Sequence, residues 1–504
     1  MAGRAGRIGW PGALAAALVL AVIVGPIVAV AMRAEGLGTL GPAGRGALRF
    51  TIWQAAVSAL VSVALAIPVA RALARRRFPG RGLLLTLLGA PFILPVIVAT
   101  FGLLAVFGRA GLVNTGLAAL GLPSLSIYGP GGVILAHVFL NLPLAVRMIL
   151  LGWQAIPAER FRLAALLNAP VWRLLEAPML ARVVPGALVL VFLICLTSFA
   201  VALVLGGGPR ATTVELAIYQ AVRFDYALDR AATLALVQVA LSAGVAALAV
   251  LVHLPDAMGA GMDRVVPRWG AGTRALDALW IAAAGLFLIL PMAMIVIEGV
   301  AGFSDIPPGT WVAAARSLAV ALASTAICMG LALALAVSGG RWAIVVGTLP
   351  VAASALVLGT GLYILLFPWL RPQVLALPVT VAMNALFALP FALRIVAPAV
   401  ERSEAQFGRL ADLTGLSGRA RLRLLTLPRA AGALGFAAGL AAALSMGDLG
   451  VIALFAGQET ETLPLNMYRL LGSYRSDAAA GAALLLLGLS LALFAVFDRA
   501  GRRC

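Results

Sequence analysis

The chain has 504 residues, of which 63% are hydrophobic and 11% charged, with a mean hydropathy of +1.07. A soluble domain has an apolar share of about 45–50%, so a polytopic membrane protein is predicted instead. The net charge of +18 does not point to nucleic acid, because the basic residues are spread through short segments between apolar runs and form no soluble basic domain.

At ~20 residues per span, the apolar runs predict about twelve transmembrane helices. They lie near 11–32, 49–70, 83–107, 132–155, 185–205, 231–254, 276–300, 316–338, 343–368, 376–398, 430–456 and 478–497. The first run follows Arg4 and Arg7 like a signal peptide, but it is longer than an ordinary h-region and is read as a retained span. The clusters Arg71 to Arg81, Arg160 to Arg182, Arg264 to Arg274, Arg402 to Arg429 and Arg499 to Arg503 all fall on one side. The positive-inside rule makes that side cytoplasmic and places both termini there.

The third run carries Pro91, Pro95 and Gly102, breakers tolerated where a helix faces protein or a pathway. In the fourth, His137 and Asn141 precede Pro143; such a polar pair either makes interhelical hydrogen bonds or lines a route. Ser198 stands near the end of the fifth run, and the glycine-rich stretch from Gly206 to Glu215 after it reads as a tight turn outside the membrane, lacking any Gly-Lys-Ser/Thr ending. Pro255 to Arg274 reads as a linker. Span ten carries Asn384, and span eleven carries Asp448 between Gly447 and Gly450. A lone acid inside a span costs at least ~2.5–3.5 kcal/mol, so Asp448 either faces a pathway or caps a broken helix. His137, Asn141, Ser198, Asn384 and Asp448 are the candidate pathway residues.

Neither metal nor cofactor chemistry is expected. Cys195 and Cys328 sit in apolar runs and Cys504 ends the chain, both histidines (His137 and His253) fall within predicted spans, and no HExxH, Walker A or nucleophile-elbow sequence occurs. Asp448 with Glu298 is thin provision for a proton-coupled carrier.

The two long basic loops, 156–185 and 399–429, repeat one design about 247 residues apart. Pro143 to Arg147 answers Pro390 to Arg394, Arg162-Leu163-Ala164 answers Arg409-Leu410-Ala411, and Asp229 with its alanines answers Asp477. Asn168 lies close to the place of Gly415. Leu410, Leu413, Ala420 and Leu424 recur at helical spacing among arginines, which predicts two short amphipathic helices joined at Gly415 and Gly418. The reading is an all-α membrane protein of two homologous six-helix halves, 1–255 and 276–504, joined by a cytoplasmic linker over 256–275. Matched cytoplasmic loops suit a pair of docking elements for a symmetric partner.

These loops resemble the cytoplasmic motif of binding-protein-dependent ABC importer permeases: Glu-Ala-Ala, three residues, Gly, nine residues, then an aliphatic, any residue, Leu-Pro. The second loop reproduces the spacing with Arg409, Leu410, Ala411, Gly415, Leu425, Leu427 and Pro428, an arginine replacing the leading acid. The first gives Arg162, Leu163, Ala164 and Asn168, but Pro178 comes about three residues early. Two such loops in one chain resemble the fused group that carries iron or thiamine. Arg77 to Arg81, Ile93 to Gly102, Gly206 to Ala221 and Gly472 to Ser476 are most similar to the thiamine importer permeases of Gram-negative bacteria. The resemblance implies import of thiamine or its phosphates across the bacterial inner membrane by alternating access, without catalysis by this chain. It also implies two copies of a cytoplasmic ATP-binding subunit and a periplasmic thiamine-binding protein as partners. A ferric iron importer permease is the alternative, and a secondary transporter a more distant one.

Overall fold

The computed structural model describes residues 9–36, 40–89, 94–251 and 273–503. Most of the predicted linker, together with His253 and Cys504, lies outside the described residues. The first set of helices is α1 (Gly9–Arg33), α2 (Pro42–Arg75), α3 (Arg81–Leu87), α4 (Val96–Phe107), α5 (Leu112–Ala119), α6 (Pro130–Ala155), α7 (Ala158–Leu166), α8 (Ala177–Leu196), α9 (Ala200–Leu205), α10 (Val214–Arg223) and α11 (Leu228–Leu251). The second is α12 (Arg274–Ala301), α13 (Pro308–Ser338), α14 (Arg341–Thr348), α15 (Ala355–Leu366), α16 (Pro372–Leu413), α17 (Gly418–Arg421), α18 (Leu427–Met446), α19 (Gly450–Phe455), α20 (Leu463–Gly472) and α21 (Ser476–Arg503).

Among the described residues, 11 helices are long and apolar enough to cross a membrane, and a twelfth span forms if the pair Trp342–Val351 and Ala355–Leu366, bent by 92°, counts as one. The predicted span 83–107 is likewise two helices, α3 and α4, with the proline-bearing stretch between them. Proline removes a ladder donor, and the sequence carries Pro350 at the one break and Pro91 and Pro95 at the other.

The sets share their element order apart from α5 and the loop helices α7 and α17. Helices α4 and α15 have 12 residues each, α8 and α18 have 20, α9 and α19 have 6, and α10 and α20 have 10. Their fastenings match as well. The Thr51 hydroxyl on α2 accepts from the Val214 N–H at 2.8 Å, and the Ser317 hydroxyl on α13 accepts from the Leu463 N–H at 2.8 Å. Each hydroxyl thereby satisfies a donor that the start of a helix leaves without an intrahelical partner.

One expectation about the loops needs correction. Helix α16 runs unbroken for 42 residues to Leu413, and α17 continues through a π-helical stretch into α18, so the second loop is a turn between two extended helices and not a pair of separate short helices. Only the first loop has a separate helix, α7, because Ile156 and Pro157 adopt extended backbone after α6.

The leading helix of each set packs across to the other. Helix α1 lies on α13 and α15, whereas α12 lies on α2 and α4. Gly102 of α4 approaches α12 so closely that a Cβ would come within 2.7 Å of the Pro291 carbonyl, and Gly361 of α15 stands against the Pro26 carbonyl of α1 in the same way. Small residues permit such backbone contact, which replaces the hydrophobic driving force that lipid removes.

Candidate functional site

At the end of α7 the Leu167 N–H donates to the Leu163 carbonyl at 3.0 Å and the Ala169 N–H to the Ala164 carbonyl at 2.8 Å. At the end of α16 the Thr414 N–H donates to the Leu410 carbonyl at 2.9 Å and the Leu416 N–H to the Ala411 carbonyl at 2.8 Å. These are the same helix-ending turn, and its left-handed residue is Asn168 (φ 47°) in one and Gly415 (φ 70°) in the other. Asn168 is therefore in register with Gly415, at the same 247-residue offset that relates Arg162 to Arg409.

Both turns lead into a five-residue π-helical segment, Trp172–Glu176 or Leu422–Thr426, just before Pro178 or Pro428. Proline has no N–H for the ordinary ladder, and the residue before it donates five positions back: Ala177 to Trp172 and Leu427 to Leu422. The early Pro178 thus holds the same structural place as Pro428, and the first turn is simply three residues shorter.

The predicted docking residues divide by exposure. Arg162, Leu163, Arg409, Leu410 and Pro428 are exposed and Leu427 half-buried, whereas Ala164, Ala411 and Leu425 are buried. Sequence reasoning left other leucines out of the docking set. Leu166 is 84% exposed and Leu413, at the matching position, 86%; Leu174 and Leu424 form another exposed pair. Their signal was present in the repeat itself, since apolar residues at matched positions of two basic loops have no packing reason to recur.

Different charges brace the two turns. Arg421 bonds Asp412 at 2.6 Å and both oxygens of Glu404, all within its own loop. In the first, Glu176 is fully buried and receives Arg71 Nε at 2.9 Å and Nη2 at 2.6 Å. Arg75 stands 3.7 Å from both Glu176 and Asp277, and Arg76 is 2.7 Å from Asp277 at the start of α12. The first turn is therefore tied through α2 to the second set of helices.

Deeper in the chain, a cavity of about 350 Å³ lies between the α8/α9 break and the α18/α19 break. Its lining includes His137, Asn141, Ser198 and Asp448, bringing together four of the five candidate pathway residues. Asn384 does not line it. Its Nδ2 donates to the Ser445 hydroxyl at 2.9 Å, holding α18 just before the break. Asn141 Nδ2 donates to the His137 carbonyl at 2.9 Å, and the Ser58 hydroxyl stands 3.4 Å from His137 Nδ1. Asp448 Oδ1 accepts from the Gly450 N–H at 3.1 Å, whereas Oδ2 is buried and makes no hydrogen bond among the described residues. One oxygen thus caps the broken helix and the other is left over, an arrangement suited to a transient cationic guest. No group of three or more metal-ligating side chains occurs among the described residues.

Two corresponding sets of spans around a central cavity, with matched turns at one end, define a transport permease. No family model matches the chain. It is 39% identical over 513 residues to the thiamine transport system permease protein ThiP of Brucella abortus, with 97% of this chain and 94% of the relative covered. It is 38% identical to the ThiP proteins of Salmonella typhimurium (97% and 96% covered) and Escherichia coli (90% and 88% covered). The chain belongs to the thiamine transport system permease family. It is a multi-pass membrane protein, and permeases of this kind are not themselves enzymes.

Proposed function

We propose that this chain is the membrane-spanning path of an ATP-driven importer of thiamine and its phosphates in the bacterial inner membrane, with both termini cytoplasmic. The observation that carries the reading is the 38–39% identity to thiamine permeases over 97% of the chain. The two leucine-tipped turns support it, since each offers an apolar knob ringed by arginines to a cleft in one of two cytoplasmic ATP-binding subunits. A periplasmic thiamine-binding protein would deliver cargo at the opposite face. Closure of the ATP-binding pair would move both turns together and reverse the access of the cavity. Residues 1–255 and 276–504 act as the two halves, joined by 256–275.

The test is reconstitution in proteoliposomes with both partners, measuring ATP-dependent accumulation of radiolabelled thiamine. Accumulation competed by thiamine diphosphate supports the reading, and transport of ferric iron in place of thiamine overturns it.

A further inference from the structure

A second cavity, of about 340 Å³, lies on the far side of α9 from the first. Ala200 at the start of α9 faces the inner cavity, and Ala202, Leu203 and Val204 face the outer one. Tyr128, Tyr219 and Phe224 from the first set and Tyr468 from the second line it, and no ionised side chain does. Tyr219 and Tyr468 occupy matching places on α10 and α20, so the cavity lies on the seam between the sets. Tyr128 is held in place because the neighbouring Gly129 N–H donates to the Leu205 carbonyl at 2.7 Å. Arg469 is neutralised by Glu461 at 2.6 Å, whereas Arg223 donates to the Ala456 carbonyl at 2.8 Å and keeps its charge near Tyr219, which the aromatic faces must outweigh.

Beside α9, one ring pair reaches from one space to the other. Phe199 lines the inner cavity and Tyr219 the outer, with ring centroids 5.3 Å apart. Phe224 meets Tyr219 edge-on at 5.7 Å and completes an aromatic wall. Ring faces carry negative electrostatic potential and attract cations that hold water weakly, while rejecting strongly hydrated ions that cannot shed their shells.

We propose that the outer cavity is a binding site for a heteroaromatic cation, seated against Tyr128, Tyr219 and Tyr468, and that the Phe199–Tyr219 pair is the partition the cation crosses to reach Asp448. The proposal rests on the reading of the chain as a thiamine permease, because the thiazolium ring of thiamine is such a cation. The outer site selects for a flat charged ring, and the inner carboxylate supplies the next, purely electrostatic, hold.

The test uses the full permease with its ATP-binding subunits in lipid nanodiscs, without the binding protein, and saturation-transfer NMR. The probes are N-methylthiazolium and uncharged thiazole. Wild type should bind thiazolium in preference to thiazole. Tyr468→Leu and Tyr128→Leu should each weaken thiazolium binding by about 3- to 30-fold, the range one cation–π contact spans, and the corresponding Phe variants should retain it. Tyr128 is 46% exposed, so its replacement should disturb little packing and the test does not depend on how Tyr468→Leu folds. Equal binding of thiazolium and thiazole, or wild-type thiazolium affinity in Tyr128→Leu, overturns the proposal. Thiazolium binding by a complex that accumulates no thiamine would sink the transport reading and leave the aromatic site standing.

Discussion

Asn168 and Gly415, 247 residues apart, close two matching turns in the same left-handed backbone. No atom lies within 4 Å of where a Gly415 Cβ would sit, so the turn demands a conformation and not an empty space. A side chain that tolerates the left-handed region should therefore serve. Gly415→Asn is expected to retain both ATP-binding subunits on co-purification. Gly415→Val, facing a backbone cost of at least ~1–2 kcal/mol, should shed one of them while the permease stays inserted. Full retention by the Val variant would mean that the turn is not a docking element.

Glu176 has a structural role that its counterpart Thr426 cannot share. Two arginines of α2 converge on this buried carboxylate, and Arg75 continues to Asp277. Glu176→Ala leaves Arg71 and Arg75 side by side without their common anion. Breaking a buried pair from one side costs about 3–5 kcal/mol. Thermal unfolding in nanodiscs should show a clear loss for this variant, whereas Thr426→Ala should change little. Equal melting temperatures would remove the cluster from the list of what holds the first turn.

Asp448 is capped through one oxygen and unspent at the other. Asp448→Asn keeps an acceptor for the Gly450 N–H and removes the charge. Thiamine uptake should fall by about tenfold, equivalent to ~1.4 kcal/mol, with stimulated ATP hydrolysis preserved. Wild-type uptake would leave Asp448 a helix cap alone.

On α10, outside the spans, burial pushes the Glu215 carboxyl up to about 8, against the lowering pull of Ser354 and Gln238. Between the ordinary value of about 4.3 and that level the folded chain keeps a proton the unfolded chain has released. The resulting stability is complete below the unfolded value and is lost as pH rises through the folded one. Melting temperature should fall between pH 5 and pH 9, and Glu215→Gln should flatten the profile. A wild-type slope in that variant would assign the dependence to other groups.

Hydrophobic length and arginine placement made the spans legible, because the bilayer dictates both. The cavity was partly legible. His137, Asn141, Ser198 and Asp448 stood out as polar residues in apolar runs, and the structure gathers them around two helix breaks. Asn384 carried the same signal yet serves Ser445, since polarity in a span says that a partner exists and not whether the partner is substrate or protein. The unbroken α16 was hidden because the Arg402 to Arg409 stretch changes from apolar to charged at the membrane surface without leaving the helix. The aromatic cavity was hidden for another reason: Tyr219 and Tyr468 come from different sets and meet only through the fold.

The crossed packing of α1 and α12 means that neither repeat of the sequence is a self-contained packing unit. Helix α1 packs on α13 and α15 as well as on α11 of its own set, and α12 on α2 and α4 as well as on α21 of its own, so each set holds a helix of the other. A fragment ending before α12 would expose the glycine face of α4, and it would have to find the other fragment in the bilayer before either wall was complete. Joining the two sets in one polypeptide turns that search between molecules into a local encounter, and fixes one-to-one pairing from the moment of synthesis.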